Sequence, residues 1–139
     1  MTVIRRGRES DLEEIARLQS TSPEASQWKV TQYLQYEVRV AECGESRLAG
    51  FLVGRSLTPL ESEILNLAVD PDFRRRGIAR QLVKSFLEDH PGAVFLEVRA
   101  SNETAQGFYK HLGFQQVSTR LRYYDSPPEA AIVMKFHSC

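Results

Sequence analysis

The stretch from Glu61 to Val98 constrains the fold more than any other part of the chain. Glu61 to Val69 ends in Ile64-Leu65-Asn66-Leu67-Ala68-Val69, a nearly continuous apolar run of the kind expected for a strand buried on both faces. Asp70-Pro71-Asp72 stops it. Gly77 then opens a helix with Ile78, Leu82 and Phe86 on one stripe and Ala79, Val83 and Leu87 beside it. Pro91-Gly92 ends the helix, and Ala93 to Val98 reads as another buried strand. Strand, helix and strand in that order form a βαβ unit, which requires a parallel pair and a right-handed crossover.

The flanks extend this into an α/β fold, a mixed sheet with helices on both sides. Val3 to Arg6 reads as an opening strand. Ser10-Asp11-Leu12-Glu13 fits a capping box, and Leu12, Ile15 and Ala16 follow at helical spacing to about Ser20. A break at Thr21 to Ala25 precedes a second, more polar helix from near Trp28 to Glu37. Val38 to Cys43 and Leu48 to Leu57 form a hairpin around Gly44-Glu45-Ser46. Beyond the βαβ unit, a helix from Asn102 to Leu112 turns Ala105, Phe108, Tyr109 and Leu112 inward, with Gly113 as its C′ residue. Strands near Phe114 to Arg122 and Ala130 to Phe136 flank a loop at Pro127-Pro128.

The 139 residues suffice for one domain with a real core. With 18 basic against 18 acidic residues the formal charge is zero, so nothing draws the chain as a whole to nucleic acid or an anionic membrane. No apolar stretch is long enough to span a bilayer, and Met-Thr-Val-Ile-Arg-Arg does not read as a signal peptide. Cys43 and Cys139 lack metal-type spacing, so the expectation is a reduced, cytoplasmic, metal-free protein with Cys43 an ordinary small apolar residue on a strand.

Two features carry chemistry. Arg74-Arg75-Arg76-Gly77-Ile78-Ala79-Arg80 stands between strand and helix, where unpaired N–H groups and the helix dipole favour an anion. The loop suits a pyrophosphate; it lacks the Walker A ending and the three spaced glycines of a dinucleotide fingerprint. A solvated arginine loop capping a helix is the alternative. Val94-Phe95-Leu96-Glu97-Val98 places a carboxylate in an otherwise apolar strand, where desolvation favours a base that works near neutral pH. Pairing of Glu97 with Arg99, or an outward-facing Glu97, is the alternative there. Tyr109 is either a proton donor or a core aromatic.

Four blocks link these residues. They are Asn66-Leu67-Ala68-Val69-Asp70-Pro71-Asp72-Phe73, Arg74-x-x-Gly77-x-Ala79, Leu96-Glu97-Val98-Arg99-Ala100-Ser101-Asn102, and Phe108-Tyr109 with Leu112-Gly113-Phe114. Together they resemble the GNAT superfamily of N-acetyltransferases, and within it the bacterial ribosomal-protein-alanine N-acetyltransferases. The resemblance implies a mixed, mostly antiparallel sheet whose central parallel pair splays to admit the pantetheine arm of acetyl-CoA. It implies that Leu67, Ala68 and Val69 pair with that arm, a Val69 N–H polarising the thioester carbonyl. Arg74, Arg75, Arg76, Gly77, Ile78, Ala79 and Arg80 would then hold the pyrophosphate, and Asn102 would contact the cofactor. Glu97 matches the general base and Tyr109 the general acid of a direct transfer without an acetyl-cysteine.

The acceptor implied is a primary amine, most closely a peptide N-terminus, in a monomer or homodimer. Trp28, Tyr123 and Tyr124 are the candidate substrate-facing residues. Arg122 stands where the family carries asparagine, and Ala130 where it carries aspartate. An amine other than an N-terminus, on a small molecule or a lysine, and a non-catalytic acyl-CoA-binding domain are the competing readings.

Overall fold

The structure is a computed structural model describing residues 2–22, 29–44, 47–125 and 128–138, with side chains described outside 122–125, 128 and 138. Its strands are β1 (Val3–Arg6), β2 (Glu37–Glu42), β3 (Leu48–Thr58), β4 (Glu61–Val69), β5 (Gly92–Arg99), β6 (Gln115–Asp125) and β7 (Pro128–Ser138). Its helices are α1 (Leu12–Ser20), α2 (Ile78–Asp89) and α3 (Glu103–Leu112). The strands form one mixed sheet in the order β1-β2-β3-β4-β5-β7-β6. The parallel pair expected from the βαβ unit is β4 with β5, where residues 61–63 face 93–95. Among the described residues no helix is long and apolar enough to cross a membrane.

The chain divides into two compact units. The first, Met1–Arg55 with Ile64–Asp89, holds α1, α2 and the antiparallel strands β1 to β3. Its core gathers Ile15 and Leu18 of α1, Val38 and Val40 of β2, Phe51 and Val53 of β3, and Ala68 of β4. Helix α2 buries Ile78, Leu82, Val83 and Phe86, the stripe its spacing predicts. Gly50 allows a close approach here: a Cβ on it would stand 2.9 Å from the Ala68 carbonyl oxygen and 3.3 Å from both Ile78 Cγ2 and Leu82 Cδ1. The second unit is Ser56–Glu63 with His90–Cys139. There β7 pairs antiparallel with β5 and β6, and Tyr109, Phe114 and Phe136 stack in sequence with centroids 5.4 Å apart at each step.

Several local expectations are corrected. The N-terminal turn before α1 is closed by Asp11, not by Ser10 and Glu13. Asp11 Oδ2 accepts the Arg8 N–H at 2.8 Å, and its carboxylate is clamped by Arg5 at 2.8 and 2.9 Å. The second helix is a six-residue 3-10 segment, Val30–Gln35. Val30, Tyr33 and Tyr36 face the core at a spacing of three, which is the period of a 3-10 helix and leaves no α-helical stripe. Cys43 lies one residue beyond β2 and hydrogen-bonds through Sγ to the Arg47 carbonyl at 3.4 Å. Pro128 begins β7 rather than sitting in a loop.

Neither β4 nor β5 is buried on both faces. Along β4, Ser62, Ile64, Asn66 and Ala68 are buried, while Leu65, Leu67 and Val69 are half-buried. Two polar residues occupy the buried register because each finds partners. Ser62 Oγ lies 2.9 Å from His90 Nδ1, and Asn66 Nδ2 donates to Tyr33 Oη at 2.9 Å. The strand buried on both faces is β3, from Leu48 to Gly54.

Candidate functional site

In the first unit, the end of β4 and the start of α2 are fixed by Asp70. The Asp70 N–H donates to the Ala49 carbonyl at 2.7 Å. Its carboxylate, 3% exposed, accepts from the Asp72 N–H at 2.8 Å, from Arg17 Nη1 at 2.9 Å and from Arg47 Nη2 at 3.4 Å. Burial acts to raise the Asp70 carboxyl, but the Asp72 N–H and the two guanidinium groups outweigh it and hold it below the usual carboxylate range. Pro71–Phe73 then forms a single 3-10 turn, with Arg47 and Arg76 stacked over the Phe73 ring at 5.4 and 5.0 Å from its centroid.

The loop that follows carries two left-handed residues just before the helix. Arg75 (φ 65°) and Gly77 (φ 76°) both take left-handed conformations, with Arg76 at negative φ between them. Alternation of this kind turns successive N–H groups toward one side. A side chain at residue 77 would be strained by its φ, which is why glycine stands there. Ile78 is buried and anchors the first turn of α2, and the Gln81 N–H closes the first helical bond to Gly77. Arg74, Arg75, Arg76 and Arg80 are exposed, and Ala79 is half-buried. A helix start of this form can hold a diphosphate through backbone N–H groups and mobile guanidinium charge.

Residues 67–69 lie at the end of β4, with Leu67 and Val69 half-buried and Ala68 buried. The Leu67 N–H donates to Asn66 Oδ1 at 3.0 Å. Asn66 is set in turn by a buried network: its Nδ2 donates to Tyr33 Oη, and the Tyr33 hydroxyl donates to Gln19 Oε1. Sequence reasoning missed this network. The signal was present, since Asn66 is the one polar residue within the apolar run of residues 64–69.

In the second unit, Glu97 lies on the half-buried face of β5, its side chain 16% exposed. Oε1 accepts from Arg120 Nη1 at 2.6 Å. Oε2 is buried and, among the described residues, has no hydrogen-bond partner. The alternative pairing with Arg99 is not what forms. Arg99 Nη1 instead meets Glu129 Oε1 at 3.2 Å, and Glu129 Oε2 accepts the Ser101 N–H at 2.6 Å. Hydrogen bonds from the Ser101 side chain and N–H, then Arg99, hold the Glu129 carboxyl below the usual range.

Asn102 caps α3, its Oδ1 accepting the Ala105 N–H at 3.1 Å, so this oxygen is committed to the helix. Tyr109 is 6% exposed on α3 and meets Phe108 and Phe114 edge-on at 5.1 and 5.4 Å. Desolvation pushes its phenol well above the ordinary tyrosine value, so it stays protonated. Tyr123 and Tyr124 lie on β6, with Tyr124 opposite Glu129, and their side chains fall outside the described residues. Trp28 also lies outside them. Among the described residues no cluster of His, Cys, Asp or Glu could hold a metal ion.

The chain is similar to several known proteins. The [ribosomal protein bS18]-alanine N-acetyltransferase of Salmonella typhimurium is 38% identical over 96 residues, covering 65% of this chain and 64% of that protein. The N-alpha-acetyltransferase RimI of Mycobacterium tuberculosis is 42% identical over 86 residues, covering 61% of this chain and 51% of that one. The matched part therefore spans between half and two thirds of these relatives. The crystal structure of the ribosomal-protein-S18-alanine N-acetyltransferase from Escherichia coli superposes with a TM-score of 0.84 at 26% identity, covering 100% of this chain and 96% of that one. The family model described as acetyltransferase (GNAT) family matches residues 9–114, from the turn before α1 to the close of α3, and the chain belongs to that family.

Proposed function

We propose that the chain is an N-acetyltransferase that moves an acetyl group from acetyl-CoA to a primary amine, with a protein N-terminal α-amine as the acceptor. The observation that carries the reading is Glu97: a family member holds on an apolar strand a carboxylate with one oxygen tied to Arg120 and the other buried without a partner. A buried carboxylate oxygen without a protein partner calls for an explanation, and a role in proton transfer supplies one. The names of the relatives from Salmonella and Mycobacterium support the α-amine as acceptor.

When bound, acetyl-CoA supplies a thioester whose acetyl carbon accepts the amine nitrogen as the carbon–sulfur bond breaks. In this reading the backbone of residues 75–80 and the surrounding guanidinium groups bind its pyrophosphate, and residues 67–69 orient its arm, with the Val69 N–H donating to the thioester carbonyl. An α-ammonium, with a pKa near ~8, must lose a proton before it attacks, and Glu97 Oε2 takes that proton. Donation to the developing oxyanion is worth ~3 kcal/mol in comparable acyl transfers. Tyr109, kept neutral by its burial, gives its phenolic proton to the departing sulfur and regains one from the new amide nitrogen. Two protons thus leave the ammonium, one reaching solvent through Glu97 and one ending on the thiol.

Transfer in this proposal is direct, without an acetyl-cysteine intermediate. The same proposal treats the chain as one cytoplasmic enzyme domain, a monomer or homodimer, using no metal and binding neither nucleic acid nor membrane. Mass spectrometry of short peptides with varied first residues, incubated with the protein and acetyl-CoA, tests it. A single acetyl group on the α-amine of one subset of peptides is the expected result. Acetylation confined to lysine side chains or small amines would move the acceptor to that class, and binding of acetyl-CoA with no transfer to any amine would refute catalysis.

A further inference from the structure

The geometry points to Arg120 as the residue that positions Glu97 for proton transfer, by holding Oε1 and so fixing the direction of the buried Oε2. The inference rests on the proposed role of Glu97, and the residues it uses all lie in the second unit. In antiparallel pairing, residues directly opposite share a face. Glu97 stands opposite Val133, and Val133 opposite Ser118. Arg99 stands opposite Ala131, and Ala131 opposite Arg120. One face of β5, β7 and β6 therefore carries Phe95, Glu97 and Arg99, then Lys135, Val133 and Ala131, then Ser118 and Arg120.

Arg120 is thus a diagonal neighbour of Glu97 across β7. The diagonal stays open because residue 131 is alanine, with no side chain beyond Cβ to stand between Arg99 and Arg120. Two guanidinium groups flanking one alanine would repel if both sought Glu97. Glu129 removes that competition by engaging Arg99 at 3.2 Å while its second oxygen takes the Ser101 N–H. Lys135 is directed over the Phe95 ring, 5.7 Å from its centroid. Of the three described cations on this face, Arg120 is the one set on Glu97, at 2.6 Å. The Arg120 side chain is 54% exposed and that of Glu97 16%, so the arginine reaches in from the surface to hold a mostly covered side chain. An uncommitted carboxylate can rotate and present either oxygen; one pinned through Oε1 presents Oε2 in a single orientation, which is what a general base requires.

A double-mutant cycle on an acceptor peptide tests this, with Arg120→Gln, Arg120→Lys, Glu97→Gln and the Arg120→Gln/Glu97→Gln pair. Steady-state rates are measured beside acetyl-CoA affinity by calorimetry. Arg120→Gln is expected to lower kcat by on the order of tenfold to a hundredfold with acetyl-CoA affinity unchanged, and Arg120→Lys to recover most of it. In the Glu97→Gln background the same change should cost less than about twofold, because an orienting residue has no effect once its target is gone. Equal losses in both backgrounds would show that Arg120 acts on the fold at large, and full kcat in Arg120→Gln would show that it does nothing for the reaction; either overturns the inference while leaving the acetyltransferase reading intact. A wild-type rate in Glu97→Gln would overturn both the base assignment and this inference.

Discussion

Gly50→Ala tests how tightly the anion loop depends on the packing beneath it. The added methyl group would stand 2.9 Å from the Ala68 carbonyl oxygen, and 3.3 Å from Ile78 Cγ2 and Leu82 Cδ1. Of the three, the carbonyl belongs to the backbone and cannot rotate away, so β4 or the start of α2 has to shift. Overpacking of a dense core costs about 1–3 kcal/mol. For a chain of 139 residues the unfolding entropy is about 0.3 kcal/mol/K, so the midpoint should fall by about 3–10 °C. The shift would be felt at residue 68, between the two half-buried residues expected to meet the pantetheine arm, and at Ile78, which anchors the loop. Acetyl-CoA affinity should therefore fall as well, while a core defect elsewhere would lower stability alone. Gly107→Ala is the matched control: a Cβ there meets nothing within 4 Å on the exposed side of α3, and the change should stabilise by about 0.5–1 kcal/mol through helix propensity. Thermal unfolding by circular dichroism and calorimetric titration with acetyl-CoA give both readouts. An unchanged midpoint in Gly50→Ala would refute the claim that β3, β4 and α2 are in close contact at this point.

Tyr109→Phe keeps the edge-on ring contacts with Phe108 and Phe114, so stability measured by urea unfolding should change by less than about 1 kcal/mol while kcat drops on the order of a hundredfold. A large loss of stability with an unaltered rate in the folded fraction would assign the residue to the core alone. Glu97→Gln should lower kcat by on the order of a hundredfold and leave acetyl-CoA binding untouched, read by stopped-flow and calorimetry respectively. Asp70→Asn should destabilise by about 2 kcal/mol at pH 7, a buried-pair value discounted for the partly exposed arginines. Because the Asp70 carboxyl is lowered in the folded state, its contribution is present above the unfolded value near ~4 and lost as the pH falls below it, so thermal midpoints of the two proteins should converge in acid.

The legible parts of this chain are those whose determinants are local. The βαβ unit follows from two apolar runs, a glycine with positive φ and a helical stripe, all within about forty residues. The close of α3 at Gly113 is likewise set by its own segment. The errors occur where distant residues decide between locally equal choices. Ser10 and Asp11 are both good caps, and Arg5, fixed on a neighbouring strand, selects Asp11. Residues 30 to 36 have apolar positions three apart, a spacing that supports a 3-10 turn once the core is in place and no helix of its own. In β4 hydrophobicity alone would bury Leu67 and Val69 before Asn66, and the order reverses because Tyr33 and Gln19 supply partners that the strand's own sequence does not announce.

The candidate site divides along the same line. The phosphate loop is a contiguous seven-residue segment, so its chemistry is written where it acts. The proposed base is not so written, because what would make Glu97 usable is the company it keeps on a face assembled from three strands. Read along β5, the nearest cation is Arg99, two residues away on the same face. Read across the sheet, Glu129 claims Arg99, the small Ala131 clears the diagonal, and Arg120, twenty-three positions along the chain, takes one oxygen and leaves the other. Ala130 replaces an expected acidic residue, yet its neighbour Glu129 is already committed to Arg99 and Ser101 and cannot stand in to grip a cationic N-terminus. Among the described residues of this face, Glu97 is therefore the acidic group left for the proposed mechanism to use as base. In that proposal an acceptor amine drawn to this face is drawn to the residue that deprotonates it.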